Sequence, residues 1–154
     1  MILSRNHKLI IGLFLGLAIG GFVDATYLAA EHYMAAVPPC FVTTGCDTVT
    51  TSQYSTIFGV SVALFGSLYY LLLIVLSVHI ISSNKYSLFK YIAHLTWAGF
   101  LMSIYFTALQ VFVIHAYCIY CLTSATISTA LCIFAHYMWR EHHKHTKKLA
   151  EHHA

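Results

Sequence analysis

Apolar residues gather along the chain into four long runs, Leu9 to Ala30, Val60 to Ile81, Tyr91 to Ile114 and Tyr117 to Trp139, separated by shorter polar segments. Each run is 22 to 24 residues long, enough for a helix to cross a hydrocarbon core of about 30 Å. The pattern predicts an all-α integral membrane protein: a bundle of four transmembrane helices with one outer loop, residues 31–59, that contains a short interfacial helix. The catalytic body is expected over 9–139, between a short N-terminal segment, 1–8, and a polar tail, 140–154. Arg5 and Lys8 precede the first run as they would in a signal peptide, but its length exceeds the roughly 7–15 residues of a signal core, so it reads as a retained helix.

Within the runs, small residues recur at helical spacing. Gly12, Gly16 and Gly20 lead at four-residue intervals to Asp24, the only carboxylate in its span, and this stripe is expected to point into the bundle. Gly59, Ala63 and Ser67 repeat the device in the second helix, and Cys118, Cys121, Ala125, Ser128 and Cys132 in the fourth. The outer loop opens with Pro38-Pro39, and Asp47 is the expected cap of its short helix.

Composition strengthens the membrane reading. With 59% hydrophobic and 8% charged residues, a chain of 154 residues lacks the polar surface of a soluble domain. All eight basic residues, Arg5, Lys8, Lys85, Lys90, Arg140, Lys144, Lys147 and Lys148, fall on the termini and the turn between the second and third helices. The positive-inside rule then puts both termini in the cytoplasm, and the loop 31–59 and the turn at His115 outside. The net charge of +3 reflects this topology and gives no reason to expect nucleic acid. Five of the eleven histidines lie in the tail, where they read as a soft cationic anchor at the membrane surface.

Four of the five cysteines form two close pairs, Cys40/Cys46 in the loop and Cys118-Ile-Tyr-Cys121 opening the fourth helix. In this topology all four lie at the oxidising face, where disulfides persist. They can be structural staples, ligands of one zinc ion, or redox centres. A C-x-x-C at a helix N-terminus favours the last reading, because the first sulfur sits among unpaired N–H groups that stabilise its thiolate. Cys118 is then the nucleophile, with His115 three residues before it. Cys121 lies almost one turn deeper, suited to an apolar oxidant. Cys132, about 16 Å deeper again, reads as a packing residue.

The set formed by the loop cysteines, Cys46-Asp-Thr-Val-Thr-Thr-Ser52, Phe58-Gly59, Leu64-Phe65-Gly66 and Cys118-Ile-Tyr-Cys121 resembles the vitamin K epoxide reductase family, particularly its bacterial members, over about Gly12 to Ser128. The resemblance implies a relay. A thioredoxin-fold protein reduces the Cys40/Cys46 disulfide, the loop attacks Cys118, and Cys121 is released to reduce a quinone, ubiquinone or menaquinone, in support of disulfide formation in exported proteins. Ser52 matches the family serine near the redox centre and Phe65 a pocket aromatic, and Cys121, Val62, Phe65 and Ala125 become the quinone contacts. Val62 and Ala125 stand where animal members carry an asparagine and a tyrosine, which implies quinone rather than epoxide reduction. Gln53 replaces a common arginine. No fused thioredoxin domain is evident, so the periplasmic or extracytoplasmic donor is expected to be a separate protein.

Two other classes compete. His79, His94 and His136, near the same ends of three helices, suit a b-type cytochrome subunit. A non-enzymatic bundle with two structural disulfides is the other.

Overall fold

The computed structural model describes residues 5–36, 39–40, 45–83 and 88–152, with side chains over 9–36, 39–40, 45–83, 88–141 and 143–144. Pro38, Lys85 and the side chains of Arg5, Lys8, Lys147 and Lys148 lie outside that set. Five α-helices follow one another: α1 (Arg5–Tyr33), α2 (Cys46–Thr50), α3 (Val62–Ser83), α4 (Phe89–Leu109) and α5 (Ile119–His152). A two-stranded hairpin, β1 (Thr56–Ile57) and β2 (Val60–Ser61), leads into α3, and a π-helical turn, Gln110–Ile114, extends α4. Four segments are long and apolar enough to cross a membrane, Leu9–Tyr33, Val62–Ser83, Phe89–Ile114 and Ile119–Glu141. The protein is a multi-pass membrane helical bundle.

The helices pack in the order α3, α1, α5, α4, with only slight contact between α3 and α4. The buried face of α1 is Phe14, Ala18, Gly21, Ala25, Leu28 and Ala29, a repeat of three and four that keeps one stripe against its neighbours. Gly21 is the close approach: a Cβ there would stand 2.5 Å from the Tyr70 ring. Tyr70 is 2% exposed, and its hydroxyl reaches Ser124 on α5, 3.0 Å from the carbonyl and 2.8 Å from Oγ. One side chain of α3 therefore joins three helices. Thr26 and Ser67 add a 2.8 Å hydroxyl pair between α1 and α3.

The glycine stripe expected to face inward does not. Gly12, Gly16 and Gly20 are exposed, and a Cβ at any of them would meet nothing within 4 Å. Phe14, Ala18, Gly21 and Ala25 occupy the interior instead, because a helix apolar on every side carries no polar face to declare its orientation. Asp24, half-buried, sits at the margin of that face on the side of Tyr27, whose ring packs at 5.5 Å on Tyr120 of α5. Ser67, Cys118, Ser128 and Cys132 are buried, but Gly59, expected to begin the stripe of the second helix, lies before α3 in the turn of the hairpin, exposed and at φ 80°, a conformation glycine adopts freely. The large apolar side chains left outside, among them Leu68, Leu72, Val75, Leu101 and Ile133, form the lipid-facing surface.

Candidate functional site

Both cysteine pairs lie at one end of the bundle. In the loop, Cys40 and Cys46 are joined in a disulfide with Cα atoms 6.0 Å apart. Cys46 is also the first residue of α2, whose N-cap is Gly45; Asp47, the expected cap, lies inside the helix, and no side chain caps it. The reason is steric. A Cβ at residue 45 would lie 2.8 Å from the Tyr117 nitrogen and 2.9 Å from the Ala116 Cβ, so the loop rests on the chain entering α5 and only glycine fits there.

A second tie holds the other side of the loop pair: the Tyr120 hydroxyl donates to the carbonyl of Pro39, next to Cys40, at 3.1 Å. Cys46, Val49 and Cys118 consequently form one buried apolar cluster, with Cys40, Ile114, Ala116, Tyr120 and Cys121 packed against it. Cys46 is 1% exposed and Cys118 0%. The structure thus brings the two pairs together, the loop pair as a disulfide and the helix pair as free thiols.

Cys118 immediately precedes α5, and its carbonyl accepts from the Leu122 N–H at 3.1 Å. It is the N-cap of the helix, and a cap side chain meets the N–H groups two and three residues on. Those belong to Tyr120 and Cys121. The thiol of Cys118, just before the membrane span, is pulled down to about 7, first by a hydrogen bond from the Cys121 thiol and then by the backbone N–H groups of Cys121 and Tyr120; burial and the Asp24 carboxylate oppose the shift. A cysteine capping a helix is stabilised as the thiolate that attacks disulfides.

The approach to Cys118 is made by the π turn. His115 ends it in the left-handed conformation at φ 54°, and the carbonyl of Gln110 accepts from the backbone N–H groups of His115 and Ala116, the latter at 3.2 Å. The Gln110 side chain then accepts the Cys118 N–H at 3.0 Å. His115 itself is exposed.

Cys121 is half-buried, and side chains that follow it on α5 line, with α4, an open groove of about 790 Å³ on the lipid-facing side, where Phe112 and Ile133 are exposed. Leu122, Ala125 and Thr126 face Thr107, Ala108 and Phe112 across it. An apolar slot of this volume, edged by threonines and opening beside a C-x-x-C, suits a flat, lipid-soluble molecule with few polar atoms, so its residues fit a quinone. Of the four expected contacts only Ala125 lines this groove; Cys121 lies just before Leu122 without lining it, Val62 is half-buried and Phe65 is 47% exposed, both away from it. Ser52 bonds the Val49 carbonyl at 2.8 Å and receives Ser55 on its own carbonyl, holding the turn after α2. Cys132 is buried against Thr96.

Of the three histidines considered as haem ligands, His79 is exposed, whereas His94 bonds the Lys90 carbonyl at 2.6 Å and shares Trp139 with His136. Among the described residues no three His, Cys, Asp or Glu side chains are arranged to hold a metal ion.

Gly45, Tyr120 and Gln110 are the site residues that sequence reasoning missed. Only Gln110 carried a signal, as the one carboxamide in an apolar span. Compared with known proteins, the chain matches the model of the vitamin K epoxide reductase family over residues 12–136. No curated protein matches it.

Proposed function

Since the chain belongs to the vitamin K epoxide reductase family and is accordingly a membrane thiol oxidoreductase, we propose that it passes electrons from a thioredoxin-fold dithiol protein outside the cytoplasm, through Cys40/Cys46 and then Cys118/Cys121, to a quinone. The observation that carries this reading is the single buried cluster that contains both cysteine pairs. Two structural staples need no mutual contact, whereas exchange requires one sulfur to reach another.

The proposed cycle begins when the partner's dithiol reduces the loop disulfide and leaves oxidised. A loop thiolate attacks Cys118 of the Cys118–Cys121 disulfide, forming a mixed disulfide and releasing Cys121 as thiolate. The second loop thiol then attacks the first loop sulfur, restoring the loop disulfide and freeing Cys118. Two electrons and two protons now reside on the helix pair. A bound quinone accepts both pairs and becomes quinol, while Cys118 and Cys121 return to the disulfide. Of the two loop cysteines, Cys46 is the better candidate for the attack, since it shares the buried cluster with Cys118 while Cys40 packs against that cluster from outside.

Access explains the division of labour: the loop pair serves a water-borne protein, and the helix pair, beside a slot open between α4 and α5, serves a lipid-soluble acceptor. The positions of the basic residues support an outward-facing site and cytoplasmic termini. The deciding experiment is anaerobic mixing of the dithiol-reduced protein with quinone. One quinol should form for every two thiols lost; thiols that persist while no quinol appears refute the coupling.

A further inference from the structure

Gln110 does three things in one place. Its carbonyl receives the backbone N–H groups of His115 and Ala116, which folds the chain back after α4. Its side-chain Oε1 receives the N–H of Cys118 at 3.0 Å. The residue is 2% exposed, beneath the very stretch, Ala116 and Tyr117, on which Gly45 of the loop rests. The helix widens at this residue into a π turn, a distortion found frequently at functional sites because it is retained only where something requires it.

The requirement follows from the geometry of a cap. An N-cap residue contributes its carbonyl and side chain to the helix that follows, but its own N–H has no partner in that helix. Cys118 is fully buried, so water cannot supply one. Gln110 supplies it across eight residues of chain. A hydrogen bond at this N–H fixes the peptide plane entering Cys118 and so the direction of its Cα–Cβ bond. That direction sets the sulfur over the N–H groups of Tyr120 and Cys121 on one side and beside the loop pair on the other.

We propose that Gln110 is a positioning residue of the thiol relay, aiming the Cys118 sulfur through its hydrogen bond to the Cys118 N–H while its backbone holds the floor on which the loop docks. The inference rests on the relay proposed above, since it is the exchange between the two pairs that the aiming serves. In the exchange, the loop thiolate bonds to Cys118, the Cys118–Cys121 bond breaks, and the electron pair leaves on Cys121, while Gln110 acts only through the Cys118 N–H.

The test uses the full chain in lipid nanodiscs with two substitutions at this residue. Gln110→Met fills the same volume without an acceptor, and Gln110→Glu keeps an oxygen at the same reach. In a Cys40→Ser/Cys121→Ser background, addition of a mild oxidant links Cys46 to Cys118, and the link is followed by non-reducing digestion and mass spectrometry. Gln110→Met should slow it on the order of ten- to a hundred-fold, the scale of a misplacement near 1 Å. Gln110→Glu should recover part of the rate, remaining slower than Gln110 because a carboxylate beside Cys118 opposes its thiolate. With Cys121 intact, the pH midpoint of Cys118 alkylation should rise in Gln110→Met, which a merely structural filler would not cause. An unchanged link rate and midpoint in a folded Gln110→Met protein overturns the proposal.

Should that variant not fold, Gln110→Asn, whose shorter side chain does not reach the Cys118 N–H, takes its place: a slower link and faster exchange of the Cys118 amide than in the unsubstituted chain support the assignment, and unchanged values for both overturn it. If the unsubstituted Gln110 background forms no loop–Cys118 link at all, the relay itself fails, while midpoint and exchange still judge the role of Gln110.

Discussion

The two cysteine pairs acquire their geometry in opposite ways. Cys118 and Cys121 are set by a local device, the first turn of α5, in which a cap and the residue three beyond it are neighbours in any helix. Cys40 and Cys46 are set by tertiary contact: Tyr120 holds Pro39 on one side and the chain at Ala116 and Tyr117 receives Gly45 on the other. A locally determined pair keeps its chemistry when the loop is disturbed. A pair fixed by contact loses its alignment when either contact is lost, even with both sulfurs present. Disturbing the helix should therefore stop all chemistry, and disturbing the loop contacts only the transfer between pairs.

The largest effect tests the helix pair. Cys118→Ala and Cys121→Ala should each reduce quinone reduction to background with any electron donor, a loss on the order of a thousand-fold or more for removal of an attacking group. Cys40→Ser or Cys46→Ser should remove turnover with a protein dithiol and spare turnover with a small one, which diffuses to Cys118 directly. Equal losses with both donors would erase the distinction between the pairs. Next comes Gly45→Ala. Its methyl must displace the Tyr117 backbone, costing about 1–3 kcal/mol as overpacking does, and should slow protein-driven turnover about ten-fold or more. Small-dithiol turnover should fall less, because it needs only Cys118 and Cys121 and not the docked loop.

A subtler measurement is the pH dependence of Cys118. Alkylation of the reduced protein should rise through about pH 7, because the thiolate is the reactive form and its proton leaves there. The hydrogen bond from Cys121 is the leading cause of the lowered value, so Cys121→Ala should move the midpoint upward, and an unmoved midpoint would assign the shift to the helix end alone. The smallest effect belongs to Tyr120→Phe, which removes one hydrogen bond to Pro39 worth about 0.5–1.5 kcal/mol. It should slow protein-driven turnover a few-fold and leave small-dithiol rates alone.

The spans were legible because runs of 22 or more apolar residues have few other solutions. Which face of α1 turns inward was not, since in lipid both faces are apolar and the stripe that looked smoothest, Gly12, Gly16 and Gly20, lies outside. The cysteines were legible from their spacing and from the family resemblance. Their supports were less so. Gly45 looks like any loop glycine until the Tyr117 nitrogen is placed beside it, and the hydroxyl of Tyr120 finds a carbonyl 81 residues away. Phe65 matched a motif, but its helix turns it 47% exposed to the surface, a matter of rotation that a motif does not encode.

Cys118 as the cap of α5 has a consequence for how the molecule can be observed. As a thiolate the sulfur is a strong acceptor for the N–H groups of Tyr120 and Cys121. Once it joins Cys121 in a disulfide it is neutral, and those same groups lose most of that acceptor. Each passage of electrons therefore tightens and slackens the opening turn of a 34-residue helix. The amide resonances of Tyr120 and Cys121 should report this as a native redox indicator, one that needs no dye, no label and no quinone colour to be read.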